Sequence, residues 1–305
     1  MSNSALDEIR RQLESLDEKI HDLLMKRAEV SGRLSEMVRK NRGDVVAPQP
    51  DQEAALIRRL LGRHSGSMPR ESIARIWREL CAALLLTHRA QKVAVTVPDS
   101  QLGLISWDMA KDYFGSVVPL HKVANPMAAL SMVKEQEVVF AVMPWPENDG
   151  VQPWWRFLLD EGADRPMRIV ARLPFGEQRS DNGNPQHKSL VVARLPYDGT
   201  GDDRSFIALQ LEHRISRGRI VDKAKLLGMT GISLHSCTSS HPDYNDHLFE
   251  VAGYVGDDGE KMRKLLELLE SDNGKAVFVG GYPVPPLYDE PEKPSATVSS
   301  IKKSA

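Results

Sequence analysis

An arginine interrupts the apolar pattern of the first forty residues. Apolar side chains recur three and four positions apart and form a heptad seam, whose members are Leu6, Ile9, Leu13, Leu16, Ile20, Leu23, Val30, Leu34 and Met37. Arg27 occupies a position where this repeat calls for an apolar residue. A guanidinium buried between helices is costly unless a carboxylate or an anionic ligand meets it. The pattern therefore indicates an anion site at Arg27, a structural ion pair, or an arginine that extends to solvent.

The seam predicts one long helix over residues 5–40. Its length would be about 54 Å, which exceeds the diameter of a small domain. Because such a helix cannot bury its seam within its own domain, we expect a partner helix from a second subunit, and hence a homodimer. Two further helices are predicted after Pro50 and Pro69. Residues 1–91 are therefore expected to form an all-α domain of three helices.

Several short motifs in this domain follow a known pattern: Ile9-Arg10, Leu16-Asp17-Glu18-Lys19-Ile20, Leu23-Leu24, Arg27-Ala28-Glu29-Val30 and Glu53-Ala54. Together they make residues 5–91 resemble the all-helical chorismate mutase family. Subunits of that family interlock their long helices in an intertwined dimer, and arginines from both subunits grip the two carboxylates of chorismate. The resemblance therefore implies both a partner for the long helix and a dianionic ligand for Arg27.

The reaction of this family suits such residues. Chorismate becomes prephenate by a rearrangement within one molecule, so the family needs no nucleophile, metal or redox cofactor, and we expect no cofactor here. A catalyst holds the flexible dianion in its reactive shape and places positive donors at the breaking ether bond. By matching position, the resemblance implies that Arg10 reaches into the neighbouring subunit's site, Arg27 clamps a carboxylate, and Glu53 accepts a hydrogen bond from the substrate hydroxyl.

Four positions depart from the family pattern. The family's lysine at the ether oxygen, its arginine before the glutamate, its small hydroxyl residue and its glutamine are replaced here, in that order, by Val38, Gln52, Leu84 and His88. Loss of one preorganised donor costs about 10²–10³ in rate. Arg39 and Lys40 are the candidates to replace the lysine, Gln52 is a candidate substrate contact, and His88 is a candidate hydrogen-bond donor.

Composition excludes several other classes of protein. The chain has 305 residues, of which 41% are hydrophobic and 27% charged, with a net charge of −2, so it has material for packed cores and no basic nucleic-acid footprint. The first residues lack the apolar core of a signal peptide, and no apolar run approaches the ~18 residues of a membrane span. Two cysteines are too few for a disulfide framework. We therefore expect a cytoplasmic protein without nucleic-acid or membrane partners.

Residues 92–200 are predicted to form a small α/β domain. The predicted strands lie at 92–97, 138–143, 169–173 and 190–195, and the predicted helices at 105–114 and 128–135. Residues 128–144 weakly resemble the first lobe of prephenate dehydratase, an enzyme often fused behind a chorismate mutase. The glycine-rich turn of that enzyme is absent, and its catalytic Thr-Arg-Phe motif appears only as Arg204-Ser205-Phe206.

Residues 201–289 show a βαββαβ pattern, which is the ferredoxin-like layout. They resemble an ACT regulatory domain, which makes an aromatic amino acid a candidate effector, although the effector-binding motifs of that family are not evident. Residues 290–305 are expected to be a disordered tail. His235, Cys237 and His241 form a compact group that is one ligand short of a structural zinc set, so no metal is predicted.

Three functions remain open from the sequence. The leading hypothesis is a chorismate mutase of aromatic amino-acid (Phe/Tyr) biosynthesis, regulated by its C-terminal region. The second is a non-catalytic regulatory or binding protein built on a mutase-like dimer. The third and least favoured is a bifunctional chorismate mutase/prephenate dehydratase.

Overall fold

The computed structural model describes residues 3–42, 49–88, 92–97, 101–147, 153–159, 165–177 and 187–289. The tail predicted at 290–305 lies outside these residues. The side chains of four positions that the sequence analysis singles out also lie outside the described part, namely Val38, Arg39, Leu84 and His88.

Three helices form the N-terminal part, as the sequence predicts. They are α1 (Asn3–Arg42), α2 (Pro50–Gly62) and α3 (Arg70–His88). Proline suits the first position of α2 because no helical hydrogen bond is needed there, and Asp51 and Glu53 suit the positive end of the helix dipole. Ile57, Leu61 and Ala74 form a small buried core between α2 and α3.

The next part alternates strands and helices. Its elements are β1 (Val93–Thr96), α4 (Gln101–Phe114), β2 (Leu120–Val123), α5 (Pro126–Lys134), β3 (Phe140–Pro144), a 3₁₀ helix (Trp154–Leu158), β4 (Arg168–Leu173) and β5 (Ser189–Ala193). Two elements are not predicted by the sequence analysis. Strand β2 is a partly exposed edge strand without an apolar run, and the 3₁₀ helix is too short to show a period.

The predicted βαββαβ order is confirmed in the C-terminal part. Its elements are β6 (Asp203–Glu212), α6 (Arg217–Leu226), β7 (Gly231–Thr238), β8 (Tyr244–Ala252), α7 (Gly259–Leu269) and β9 (Lys275–Pro283). Asp258 caps α7 by accepting hydrogen bonds from the backbone N–H groups of Glu260 and Lys261.

The strands of the described residues form one sheet in the order β2-β1-β3-β5-β4-β9-β6-β8-β7. The pairs β2-β1 and β1-β3 are parallel, whereas β5 runs antiparallel to β3 and β4. Strand β6 is antiparallel to β8 and β9, and so is β7 to β8. One parallel pairing, Ile169 with Gly280, joins the two halves through β4 and β9. The division predicted at residue 200 therefore falls between two halves of a continuous sheet.

Both faces of the sheet are covered by packed side chains. Phe206 and Ala208 of β6 belong to the core that also contains α5 and the 3₁₀ helix. Ile207 and Leu209 belong to the core formed with α6 and α7. The alternation follows from the period of two along a strand. Helix α4 covers a further core on the first half of the sheet.

Helices α2 and α3 dock on the rest of the chain, whereas α1 exposes its seam. Arg58 of α2 donates hydrogen bonds to Thr200 Oγ1 at 2.9 Å and to the carbonyl oxygens of Asp202 and Val284. The apolar side chains of the α1 seam are each between 47% and 66% exposed. Within the described ranges, no helix is both long and apolar enough to pass through a membrane.

The substitution Gly280→Ala tests the join between the two halves of the sheet. Gly280 has φ +106°, and a Cβ there would lie 2.1 Å from the carbonyl oxygen of Ile169. We expect a loss of about 3–5 kcal/mol in the free energy of unfolding, from backbone strain and overpacking together. Urea denaturation measures it.

Gly201→Ala is the matched control for this experiment. Gly201 has φ +98°, but a methyl group added there would have no atom within 4 Å, so only the strain remains, about 1–2 kcal/mol. Equal losses in the two variants would show that the contact with Ile169 contributes nothing.

Candidate functional site

Side chains from all three N-terminal helices meet in one cluster. Arg27 comes from α1, Glu53 from the first turn of α2, and Arg78 and Cys81 from α3. Arg78 Nη1 donates to Glu53 Oε2 at 3.2 Å, and Arg27 Nη2 donates to Cys81 Sγ at 3.7 Å. These four residues are called the arginine cluster below.

The ion pair between Arg78 and Glu53 is buried beneath the α/β part of the chain. The Arg78 side chain is 3% exposed. The rings of Tyr113, in α4, and Phe175, just after β4, each have their centroid 4.1 Å from Arg78 Cζ. Contacts of this kind attract a guanidinium to the face of a ring. The α/β part therefore helps to hold Arg78 in position for Glu53.

Arg27 keeps one guanidinium nitrogen without a partner. Its Nη1 atom is buried and makes no hydrogen bond to any residue that the structure describes. Among those same residues, no carboxylate oxygen lies within ion-pair distance of Arg27, although Glu53 is near enough for Arg27 to lower its pKa. A buried donor without a partner is costly, and an oxygen of a ligand would remove that cost. Of the three interpretations of Arg27, the anion site fits this geometry best.

Burial dominates the electrostatics of the arginine cluster. It raises the pKa of Glu53, while Arg78 and, less strongly, Arg27 oppose the rise. Burial also raises the pKa of the Cys81 thiol, with a contribution from Glu53, so the thiol stays protonated and is a poor nucleophile. With Glu53 ionised, two guanidinium groups face one carboxylate. The surplus positive charge favours an anionic ligand.

Two other predicted site residues, Arg10 and Gln52, do not join the cluster within one chain. The Arg10 side chain is 72% exposed and pairs with Asp7 at 3.3 Å. Seventeen positions separate Arg10 from Arg27, which is about 25 Å along a helix, so one chain cannot bring both to one small ligand. Gln52 is exposed. For Arg39 and His88 the side chains lie outside the described residues, and their proposed roles stay predictions.

The sequence analysis missed Arg78, although a signal for it exists. Ala74, Cys81 and Ala82 are buried residues of α3, and Arg78 lies on the same stripe at helical spacing. An arginine within a buried stripe is the same irregularity that singled out Arg27. The heptad seam made the irregularity visible in α1, whereas the shorter and less regular stripe of α3 concealed it.

Two candidate groups of the C-terminal part form no site in the described residues. Ser205, the hydroxyl in the dehydratase-like Arg204-Ser205-Phe206 motif, is fully buried, donates to the Gly253 carbonyl oxygen at 2.9 Å and accepts a hydrogen bond from the Val255 N–H. It holds the chain together at the end of β8. No group of three metal-ligating side chains occurs among the described residues, and His235 with Cys237 and His241 is no exception.

The fold and the arginine cluster together define a three-helix domain with a buried, unpartnered guanidinium nitrogen, a group suited to a carboxylate. Residues 9–89 match the family model described as chorismate mutase type II. The N-terminal helical part thus matches the chorismate mutase type II model, and the resemblance drawn from its motifs is confirmed.

Curated relatives of this chain are bifunctional enzymes that combine a chorismate mutase with a prephenate dehydratase. The bifunctional chorismate mutase/prephenate dehydratase of Pseudomonas aeruginosa is 28% identical over 151 residues, which make up 48% of this chain and 38% of that protein. The enzyme of the same description from Neisseria gonorrhoeae is 26% identical over 137 residues, 44% of this chain and 35% of that protein. The matches therefore span less than two fifths of the relatives' own length.

Solved structures of prephenate dehydratases also show a distant likeness. The enzyme from Streptococcus mutans has a TM-score of 0.42 and 14% identity, covering 63% of this chain and 97% of that one. The enzyme from Arthrobacter aurescens, in complex with L-Phe, has a TM-score of 0.44 and 14% identity, covering 63% of this chain and 89% of that one. Scores below 0.5 support no conclusion about this protein.

The substitution Arg78→Met tests the buried ion pair. It leaves Glu53 without its main partner, so we expect a loss of about 3–5 kcal/mol in the free energy of unfolding at pH 7.5. Burial raises the Glu53 pKa and Arg78 opposes that rise. Without Arg78, Glu53 takes up a proton in the folded state as the pH falls, so the loss becomes smaller at pH 5. Urea denaturation at both pH values measures the difference.

The double variant Arg78→Met with Glu53→Gln is the control for this pH dependence. It has no carboxylate to protonate at the site, so its stability relative to the unaltered protein should vary less between the two pH values. A loss in Arg78→Met that is the same at pH 7.5 and pH 5 would contradict the account of Glu53.

Proposed function

We propose that this protein is a chorismate mutase and that the arginine cluster is its substrate site. The observation that carries the proposal is Arg27 Nη1, which is buried without a partner among the described residues, near the half-buried Glu53. The family match over residues 9–89 supports the same assignment. A dianionic substrate would supply the missing acceptor and balance the surplus positive charge.

The proposed reaction is a rearrangement in which one C–O bond breaks and one C–C bond forms within the same molecule. Arg27 binds a carboxylate of chorismate through its guanidinium fork and holds the substrate in its reactive shape. Glu53 accepts a hydrogen bond from the substrate hydroxyl. Arg78 acts as a positioning residue, because it holds the Glu53 carboxylate at 3.2 Å and opposes the burial that raises its pKa. No other reactant is required.

The proposed site is complete only in a homodimer. An exposed apolar seam along a helix of 40 residues is an interaction surface, and a second copy of α1 is the partner that its own repeat fits. Dimerisation would also bring Arg10 of the partner subunit to the arginine cluster, which a single chain cannot do. A solvent-exposed Arg10 in one chain is consistent with this role.

Replacement of family site residues in this chain determines the rate of prephenate formation that we expect. Val38, Gln52 and Leu84 replace the family's residues, so fewer of the family's donors would surround the substrate, and each lost donor lowers the rate by about 10²–10³. We propose Arg39 and His88 as the compensating donors. A slow mutase is therefore the expected enzyme.

A second candidate function is binding of the same ligand without turnover. It is favoured by the Arg78–Glu53 hydrogen bond, because a glutamate that already accepts from a buried arginine is less available to the substrate hydroxyl.

Whether the protein is an enzyme or only binds the ligand, we propose that the βαββαβ unit is ACT-like and responds to an aromatic amino acid. Prephenate dehydratase activity is disfavoured because Ser205 is buried and already hydrogen-bonded.

The substitution Arg27→Ala tests the substrate site. We expect kcat/KM for prephenate formation from chorismate to fall by about 100-fold or more, because a preorganised cation is lost. The control is Arg33→Ala on the same helix, whose side chain is 67% exposed and only pairs with Glu29, and which should leave the rate unchanged. If the unaltered protein binds chorismate without forming prephenate, the binding function replaces the enzymatic one. Equal activity in the Arg27→Ala variant would refute the site.

The substitution Leu13→Asp tests the dimer. Leu13 lies in the exposed seam, so a buried carboxylate at that position of the dimer should convert a species of twice the chain mass into a monomer. Sedimentation equilibrium measures the mass. Ser15→Asp adds the same charge to an exposed position outside the seam and should leave the dimer intact. A monomeric unaltered protein would contradict the proposed assembly.

A further inference from the structure

A cavity lies where the helical part meets the sheet. Helices α3 and α4 form two of its walls, and the turn that follows β4 forms a third. Tyr288, which belongs to no helix or strand, completes the lining. The cavity has a volume of about 60 Å³ and is partly open to solvent. It is separate from the Arg27 side of the arginine cluster, since neither Arg27 nor Glu53 lines it, but the two sites share Arg78.

Arg78 offers this cavity an unused guanidinium edge. Its Nη1 atom donates to Glu53, whereas its Nε and Nη2 atoms are buried and make no hydrogen bond to any described residue. Nε and Nη2 lie along one edge of the planar group, and such an edge binds both oxygens of a carboxylate at once. Because these two atoms are closed to solvent, a ligand must displace a wall side chain to reach them. Tyr288 is a wall residue outside any helix or strand, and its backbone N–H donates to the Glu177 carbonyl oxygen at 2.9 Å.

The mouth of the cavity carries the opposite charge. Arg75 pairs with Glu71 at 3.1 Å and with Asp112 at 2.9 Å, so one cation there meets two carboxylates. Two carboxylates are thus present at that end, whereas Arg78 supplies positive charge at the buried end. A zwitterion with its carboxylate inward and its ammonium outward would satisfy both ends.

Apolar side chains complete the wall between the charged ends. Ala74 is buried, and Met109, Pro174 and Phe175 are half-buried and line the same space. An uncharged aliphatic or aromatic group would be removed from water against them. The lining therefore has three parts, each matched to one part of an α-amino acid.

We propose that this cavity binds a free α-amino acid with an apolar side chain. Its carboxylate takes the Nε and Nη2 edge of Arg78, its ammonium group takes the carboxylates at the mouth, and its side chain packs on the apolar wall. Binding does not depend on mutase activity. Because Arg78 also holds Glu53, occupancy of the cavity would alter the arginine cluster, and by reciprocity a ligand there would alter amino-acid affinity.

Calorimetric titration of the full chain with L-leucine and L-phenylalanine tests the proposal. We expect saturable binding of at least one of them. Two analogues of leucine isolate its charged groups: 4-methylpentanoate lacks the ammonium, and 3-methylbutylamine lacks the carboxylate. Each should bind at least tenfold more weakly than L-leucine. Absence of binding by both amino acids, or equal binding of the deaminated acid, would overturn the zwitterion site.

Two variants locate the site. Met109→Trp fills the cavity and should weaken amino-acid binding by at least tenfold, whereas Leu104→Trp, on the exposed face of the same helix and outside the lining, should not change it. Asp112→Asn is the milder variant if Met109→Trp does not fold; it should weaken L-leucine binding and leave 4-methylpentanoate unaffected. Unchanged L-leucine affinity in the cavity variant that folds would place the site elsewhere and refute the proposal. Mutase assays on the same samples report separately on the proposed function.

Discussion

The buried ion pair between Arg78 and Glu53 is the constraint on which the rest of the site depends. It links α3 to α2, and the rings of Tyr113 and Phe175 link the same guanidinium to α4 and to the turn after β4. A buried pair of this kind is held by its geometry, because either charge alone would be strongly destabilising. The position of Glu53 is therefore set by contacts from the α/β part as well as by its own helix.

This arrangement makes the mutase domain dependent on its neighbours in the chain. Helices α2 and α3 dock on the rest of the protein through Arg58 and Arg78. The apolar seam of α1 stays exposed in one chain. The chain thus presents an arginine cluster supported by the α/β part and one long helix with an exposed apolar seam. Both features follow from the same division, in which two helices pack inward and one remains outside.

The sheet shows which strands local sequence patterns can predict and which they cannot. Strands with strong apolar runs, such as β1 and β4, are predicted close to their observed bounds because buried side chains impose a recognisable pattern. The edge strand β2 has partly exposed residues and no such signal. Nothing local indicates that β4 and β9 pair, since that contact joins positions more than a hundred residues apart at Ile169 and Gly280.

The sequence by itself determined the helical domain, its heptad seam and the two residues, Arg27 and Glu53, that meet in the arginine cluster, because each depends on spacing within one helix or on a recognisable motif. Only the tertiary structure decided that Arg78 is their third partner and that Arg10 lies apart from them in one chain. Which charges meet depends on how helices pack, and packing is set by contacts between residues distant in the sequence.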